Sequence, residues 1–220
     1  KDDILWTVPN TFVASANVGL LCGAKVDFVD IDSETLNISI SELEKKLIKS
    51  KKNNTLPKII IPVHFGGQAP IQEKIWKLSK EYNFKIIEDA SHSIGGVRKG
   101  NLIGNCKWSH VTVFSFHAVK IITTAEGGAA LTNSALIANK IKMLKSHGIT
   151  RDKKKYINKN YNDWVYEQHL LGFNYRLNEI QAALGLSQLS KINKFLKSRN
   201  EIANYYKKKL SSLPIKFQKI

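Results

Sequence analysis

The chain has 220 residues, 43% of them hydrophobic, and a formal net charge of +16 from 34 basic and 18 acidic side chains. That apolar fraction excludes a disordered chain and suffices for one sizeable domain core. Cys22 and Cys106 form neither a disulfide framework nor a zinc spacing, and with no bilayer-length apolar run or signal-peptide pattern the cytoplasm is the expected compartment.

In chain order, residues 4–8 form a short apolar run closed by Pro9 and Asn10, and Thr11 is placed to cap a helix over 12–22 that ends at Gly23. Residues 25–31 read as a strand, and Ser39 with Glu42 has capping-box spacing ahead of a helix to about residue 50. Residues 59–63 are a continuous apolar strand ending in His64 and Phe65-Gly66-Gly67, and the following helix carries Ile71, Ile75, Leu78 and Tyr82 on one face. The segment KIIEDASHSIGG, residues 85–96, is another apolar strand whose end bears Glu88, Asp89, Ser91 and His92. Glycines at 95, 96, 100 and 104 punctuate a loop before a buried strand at Val111, Val113, Phe114 and Phe116. Residues 129–132 make a further strand, followed by a helix over 134–145. Residues 146–162 are polar, long for a loop, and expected to be poorly ordered alone. Leu177, Ile180 and Leu184 share a helix face, and Leu189, Ile192, Leu196, Ala203 and Leu210 extend it as a long amphipathic helix dressed with lysines. Repeated strand-helix-strand units with buried strands predict an α/β fold with a mostly parallel sheet flanked by helices.

The chemistry concentrates where strands end. Ser115, His117, Lys120, Thr123, Thr124 and Glu126 crowd the end of one strand, and in open α/β sheets ligands collect at the carboxyl ends. A lysine in a dry pocket loses its charge readily and condenses with an aldehyde, although position alone also fits a surface lysine. An aspartate beside such a lysine is what pyridoxal 5'-phosphate requires, because it keeps the ring nitrogen protonated. By itself Asp89 would read as a helix cap or a solvated turn acid. His64, at another strand end, either lines the same crevice or bonds a neighbouring loop.

EDASHSIGG, FSFHAVKIITTAEGG, SHGI and GFNYRLNEIQAALGLSQL together resemble the DegT/DnrJ/EryC1/StrS sugar aminotransferases, and the likeness spans nearly the whole chain in order. The resemblance implies the large domain of fold type I pyridoxal-phosphate enzymes, truncated at both ends: a three-layer sandwich around a mixed sheet that keeps most of the family's seven strands, with residues 129–132 as its antiparallel member. It implies a large domain over 1–188, a helix over 189–220 leading to a smaller domain, and further segments before and after, including a glycine-threonine phosphate loop. It also implies roles: Lys120 as the cofactor-bearing catalytic lysine, Asp89 on the ring nitrogen, Phe12 stacked on the ring, His92 near its phenolic oxygen, and Ser115 on the phosphate. Asn174 is implied to reach a neighbour's cofactor phosphate across a two-fold homodimer, though an N-cap explains it equally. Arg176 and His117 are the substrate candidates, since a guanidinium fork suits a diphosphate or carboxylate. The implied reaction moves an amino group from L-glutamate to a nucleotide-linked, UDP-type 4-keto-6-deoxy sugar of the pseudaminic acid kind. Dehydratase relatives carry histidine at the lysine position, so Lys120 favours transamination. The rival is an inert or nucleic-acid-binding basic domain. Its lysines are scattered over helix exteriors and loops without an aromatic-interleaved strip, which argues against nucleic acid and for a solvated surface that attracts acidic substrates.

Overall fold

A computed structural model describes residues 2–158, 162 and 164–220. Its centre is a six-stranded sheet of β1 (Ile4–Thr7), β2 (Lys25–Phe28), β3 (Ile59–Ile60), β4 (Lys85–Asp89), β7 (Val111–Ser115) and β8 (Gly128–Leu131), while β5 (Val97–Arg98) and β6 (Asn101–Leu102) form a separate two-stranded hairpin. The order is β2-β1-β3-β4-β7-β8; β7 and β8 pair antiparallel and every other neighbouring pair is parallel. Residues 128–131 are thus the antiparallel member that the resemblance implied.

Three helices cross between the parallel strands: α1 (Ala14–Leu21), α2 (Ile40–Lys52) and α3 (Gln72–Tyr82). From β1 the chain steps to β2 on one side and then reverses to β3 and β4 on the other. Right-handed crossovers therefore put α1 on one face and α2 with α3 on the opposite one, giving the three layers. The reversal opens a crevice at the strands' carboxyl ends, so the loops after β1, β3 and β4 converge there. The main core lies beneath α2 and α3, where Trp6, Leu43, Leu47, Ile60, Phe84 and Ile86 are almost entirely buried.

Local signals set most helix ends. Ser39 accepts a hydrogen bond from the Glu42 amide, and Ser134 does the same for Ile137 at the start of α4 (Ala135–Leu144). The Thr11 cap does not form: α1 starts at Ala14, and the Thr11 hydroxyl donates to Ser15 Oγ instead. Asn174 is not a cap either. Asn178 caps α5 (Glu179–Leu189) in a full capping box with Gln181, because the chain at Asn174 is still extended and bridges Ser146.

The described residues of the 146–162 segment are tied down by local pairing. β9 (Ile149–Thr150) pairs antiparallel with β10 (Glu167–Gln168), and the Glu167 carboxylate accepts the amides of Ile157 and Asn158 and contacts His169 Nε2 at 2.7 Å. Residues 159–161 of the expected loop lie outside the described residues. The final helix, α6 (Ile192–Lys209), is separated from α5 by a break at Ser190 and Lys191. The tail returns to the sheet, with the Gln218 amide donating to the Thr35 and Phe65 carbonyls. Among the described residues no helix is long and apolar enough to cross a membrane.

Candidate active site

Parallel pairing of β4 with β7 aligns Asp89 with Val113, so the loops that follow the two strands emerge side by side. Asp89 is half-buried and its carboxylate is fixed from both sides. Oδ1 accepts from Ser91 Oγ at 2.6 Å and the Ser91 amide at 3.2 Å, and Oδ2 accepts from Ser15 Oγ at 2.7 Å. Three donors on a group with about four acceptor positions leave one for an N–H of a ligand. Thr11 orients Ser15 in turn, at 2.9 Å. The main chain is equally constrained, because the Asp89 amide donates to the Pro62 carbonyl and its carbonyl accepts from the His64 amide.

Lys120 and His92 line a cavity of about 580 Å³. Burial first, and the Lys120 ammonium second, push the His92 pKa below its ordinary 6.5, with the Asp89 carboxylate opposing them. Gly66 and Gly67 adopt positive φ at the cavity's edge, and a Cβ at Gly67 would lie 2.8 Å from the His92 carbonyl oxygen. The β3 loop can approach the β4 loop this closely because Gly67 has no side chain.

Behind Asp89, on the other face of β4, lies a buried polar cluster. Glu88 is 2% exposed; Oε2 accepts from Thr112 Oγ1 at 2.7 Å and Oε1 from Gln72 Nε2. His64 does not line the crevice: it is fully buried, with Nε2 3.6 Å from Glu88 Oε1. That separation is within ion-pairing reach of a protonated imidazole but is not a hydrogen bond, and both imidazole nitrogens lack hydrogen-bond partners among the described residues. Burial raises the Glu88 carboxyl, but His64, Gln72 and Thr112 together hold it below its ordinary value. The strand alternation explains the split, sending Glu88 inward and Asp89 toward the crevice.

The remaining sequence candidates are distributed unevenly. Phe12 stands just before α1, 77% exposed, with its ring free to cover a ligand. Ser115 ends β7, opposite Gly128, with its hydroxyl accepting from the His117 amide. His117 turns to Glu126, 3.6 Å away, and does not line the Lys120 cavity. Asn174 and Arg176 are exposed and likewise not part of that cavity. The structure thus places His92 and Lys120 in one cavity with Ser91, whose hydroxyl and amide hold the Asp89 carboxylate, while His117, Asn174 and Arg176 line no part of it.

Sequence reasoning missed Ser15 and Arg199. Ser15 is 6% exposed on a mostly apolar helix, and a hydroxyl among those small and apolar residues was the available signal. Arg199 lies on α6, in register with Ile192, Leu196 and Ala203, where a charge interrupts an apolar stripe.

A mostly parallel sheet with one antiparallel strand, carrying an acid and a lysine on adjacent strand-end loops, defines a fold type I aminotransferase large domain. The DegT/DnrJ/EryC1/StrS aminotransferase family matches residues 1–219, and the chain belongs to that family. It is 41% identical over 208 residues to the UDP-4-amino-4,6-dideoxy-N-acetyl-beta-L-altrosamine transaminase of Campylobacter jejuni, covering 94% of this chain and 51% of that protein. Helicobacter pylori PseC, an aminotransferase involved in pseudoaminic acid biosynthesis, superposes with a TM-score of 0.84 at 34% identity, over 96% of this chain and 52% of its own. Spr1654 of Streptococcus pneumoniae in its PLP form gives a TM-score of 0.78 at 26% identity, over 96% of this chain and 54% of its own. The chain spans about half the length of the relatives it matches.

Proposed function

We propose that this chain belongs to a pyridoxal-phosphate-dependent aminotransferase that moves an amino group from L-glutamate to a UDP-linked 4-keto-6-deoxy sugar, as in pseudaminic acid formation. The observation that carries the reading is the cavity that Lys120 and His92 share with Ser91, the residue whose hydroxyl and amide hold the Asp89 carboxylate. The residues fit the cofactor: Asp89 keeps one acceptor position for a ring N–H, and Phe12 offers an unpacked aromatic face. When bound, the cofactor supplies an electron sink for cleavage of a C–H bond.

Lys120 would hold the cofactor through its amine, and its free amine would serve as the base that moves a proton between carbons. Asp89, braced by Ser15 and Ser91, keeps the ring nitrogen charged. His92 would stand near the phenolic oxygen and Ser115 would hold the phosphate. Asn174 reaches the cofactor phosphate of a second copy, and Arg176 and His117 bind substrate there; their separation from the Lys120 cavity suits a homodimer. The exposed apolar side chains of α1 and α5, among them Leu21 at 87% and Ile180 at 84%, support such a partner. The expected compartment remains the cytoplasm.

The test is covalent capture. Purified protein is incubated with pyridoxal phosphate, reduced with borohydride and digested. The cofactor mass should sit on the Lys120 peptide and vanish in Lys120→Ala, and the wild type should then aminate the keto sugar with L-glutamate. Capture spread over surface lysines, or unchanged in Lys120→Ala, overturns the assignment. Salt-sensitive nucleic-acid binding without capture would favour the rival basic domain.

A further inference from the structure

The cavity that holds Lys120 and His92 is closed on one side by α6. Leu196, Arg199, Asn200 and Ala203 line it from one stripe of that helix, at the i, i+3, i+4 and i+7 spacing. This wall is fixed in place: a Cβ at Gly95 would sit 2.4 Å from Leu196 Cδ1 and 3.4 Å from Ile192 Cδ1, so the helix lies directly on the loop that follows β4. Gly95 has φ +79°, a conformation that favours glycine.

The lining is electrically one-sided. It includes Lys120 and Arg199 but no aspartate or glutamate. Among the described residues no carboxylate lies within ion-pairing distance of Arg199, whereas Lys197 and Glu201 on the same helix face each other at 4.0 Å. The neighbouring Asn200 amide is spent on the Leu196 carbonyl, leaving the guanidinium as the free donor of the stripe. If Lys120 is committed to the cofactor, Arg199 is the remaining permanent cation of this cavity for a charged substrate.

We propose that Arg199 is the substrate-binding residue that captures an oxyanion, the diphosphate or the carboxylate of a substrate, on the α6 wall of the Lys120 cavity. The guanidinium fork presents paired N–H groups that match either group bidentately. The proposal rests on reading the cavity as the aminotransferase site, and it replaces Arg176 as the within-chain anion anchor.

The test uses UDP and glutarate as separate probes, by titration calorimetry on the purified protein without cofactor, in wild type, Arg199→Gln, Arg199→Lys and Lys120→Ala. Losing a bidentate charged contact weakens binding roughly tenfold or more. Arg199→Gln should therefore lose affinity for one probe by that factor, with Arg199→Lys intermediate and the circular dichroism spectrum unchanged. Loss for UDP assigns the diphosphate, and loss for glutarate the donor carboxylate. In the loaded protein the same variant should raise KM for the corresponding substrate more than it lowers kcat. Borohydride capture on Lys120 should persist in Arg199→Gln. Unchanged affinity for both probes in a folded Arg199→Gln overturns the proposal even if capture succeeds, whereas failed capture in the wild type overturns the cofactor reading on which it rests.

Discussion

Replacing His64 by leucine tests the buried cluster behind Asp89. The substitution keeps an apolar filler in a fully buried site but removes the only group capable of positive charge that the structure places within ion-pairing distance of Glu88. With the imidazole protonated, deleting one partner of such a buried pair costs about 3–5 kcal/mol. Gln72 and Thr112 still donate to the carboxylate, so the low end applies, about 3 kcal/mol. For a chain of this size each kcal/mol moves Tm by roughly 2–4 °C, so Tm should drop by about 6–12 °C. Glu88→Gln retains the acceptor without the charge, and the double variant His64→Leu/Glu88→Gln should regain more than half the loss, a coupling of about 1.5 kcal/mol or more. The pH dependence has a definite sign. The lowered Glu88 carboxyl contributes stability that is fully present above its ordinary value of 4.5 and is lost as pH falls through its folded value. The stability that the Glu88 cluster contributes should therefore be present at neutral pH and shrink in acid. Urea denaturation of the four proteins at neutral and acid pH measures it. Additive effects, or a single-variant cost below about 0.5 kcal/mol, would refute the ion pair.

Other parts of the structure respond to smaller changes. His110 accepts the Ile86 amide at Nδ1, 3.0 Å away, and burial, with Lys85 and Lys80 nearby, lowers its pKa from 6.5 to about 4. The unfolded chain thus binds the proton first, so stability should decline as pH falls from about 6.5 toward 4 and His110→Asn should flatten that slope in a Tm-against-pH series. Gly95→Ala forces a positive-φ strain and a clash with Leu196, and should lower stability by more than ~1 kcal/mol while weakening anion binding at Arg199; a neutral result would mean that α6 does not rest on this loop. Ser15→Ala removes one donor from Asp89 and should weaken pyridoxal phosphate about tenfold, from the roughly 1.5 kcal/mol of a hydrogen bond to a charged group; equal affinity in a fluorescence titration would show that Ser15 does not brace the site.

Much of this protein follows from the sequence because the signals are local. Apolar runs ending in polar residues marked β4 and β7, Ser39 and Ser134 marked helix starts, and the Asp89 and Lys120 segments carried the family likeness. These depend on dihedral preference, side-chain reach within one turn, and period, all written in neighbouring residues. The same locality explains the errors. Thr11 and Asn174 are suitable cap residues, yet Thr11 is taken up by Ser15 and Asn174 by the bridge to Ser146. Only the tertiary structure decided which side of β4 each acid faces, that His64 lies with Glu88 and not in the crevice, and that Ser15, 74 residues from Asp89, holds its carboxylate. It also turned α6 from a lysine-dressed helix into a cavity wall bearing Arg199. Contacts between residues far apart in sequence depend on how the layers stack and where the chain reverses, and no short window of residues contains that information.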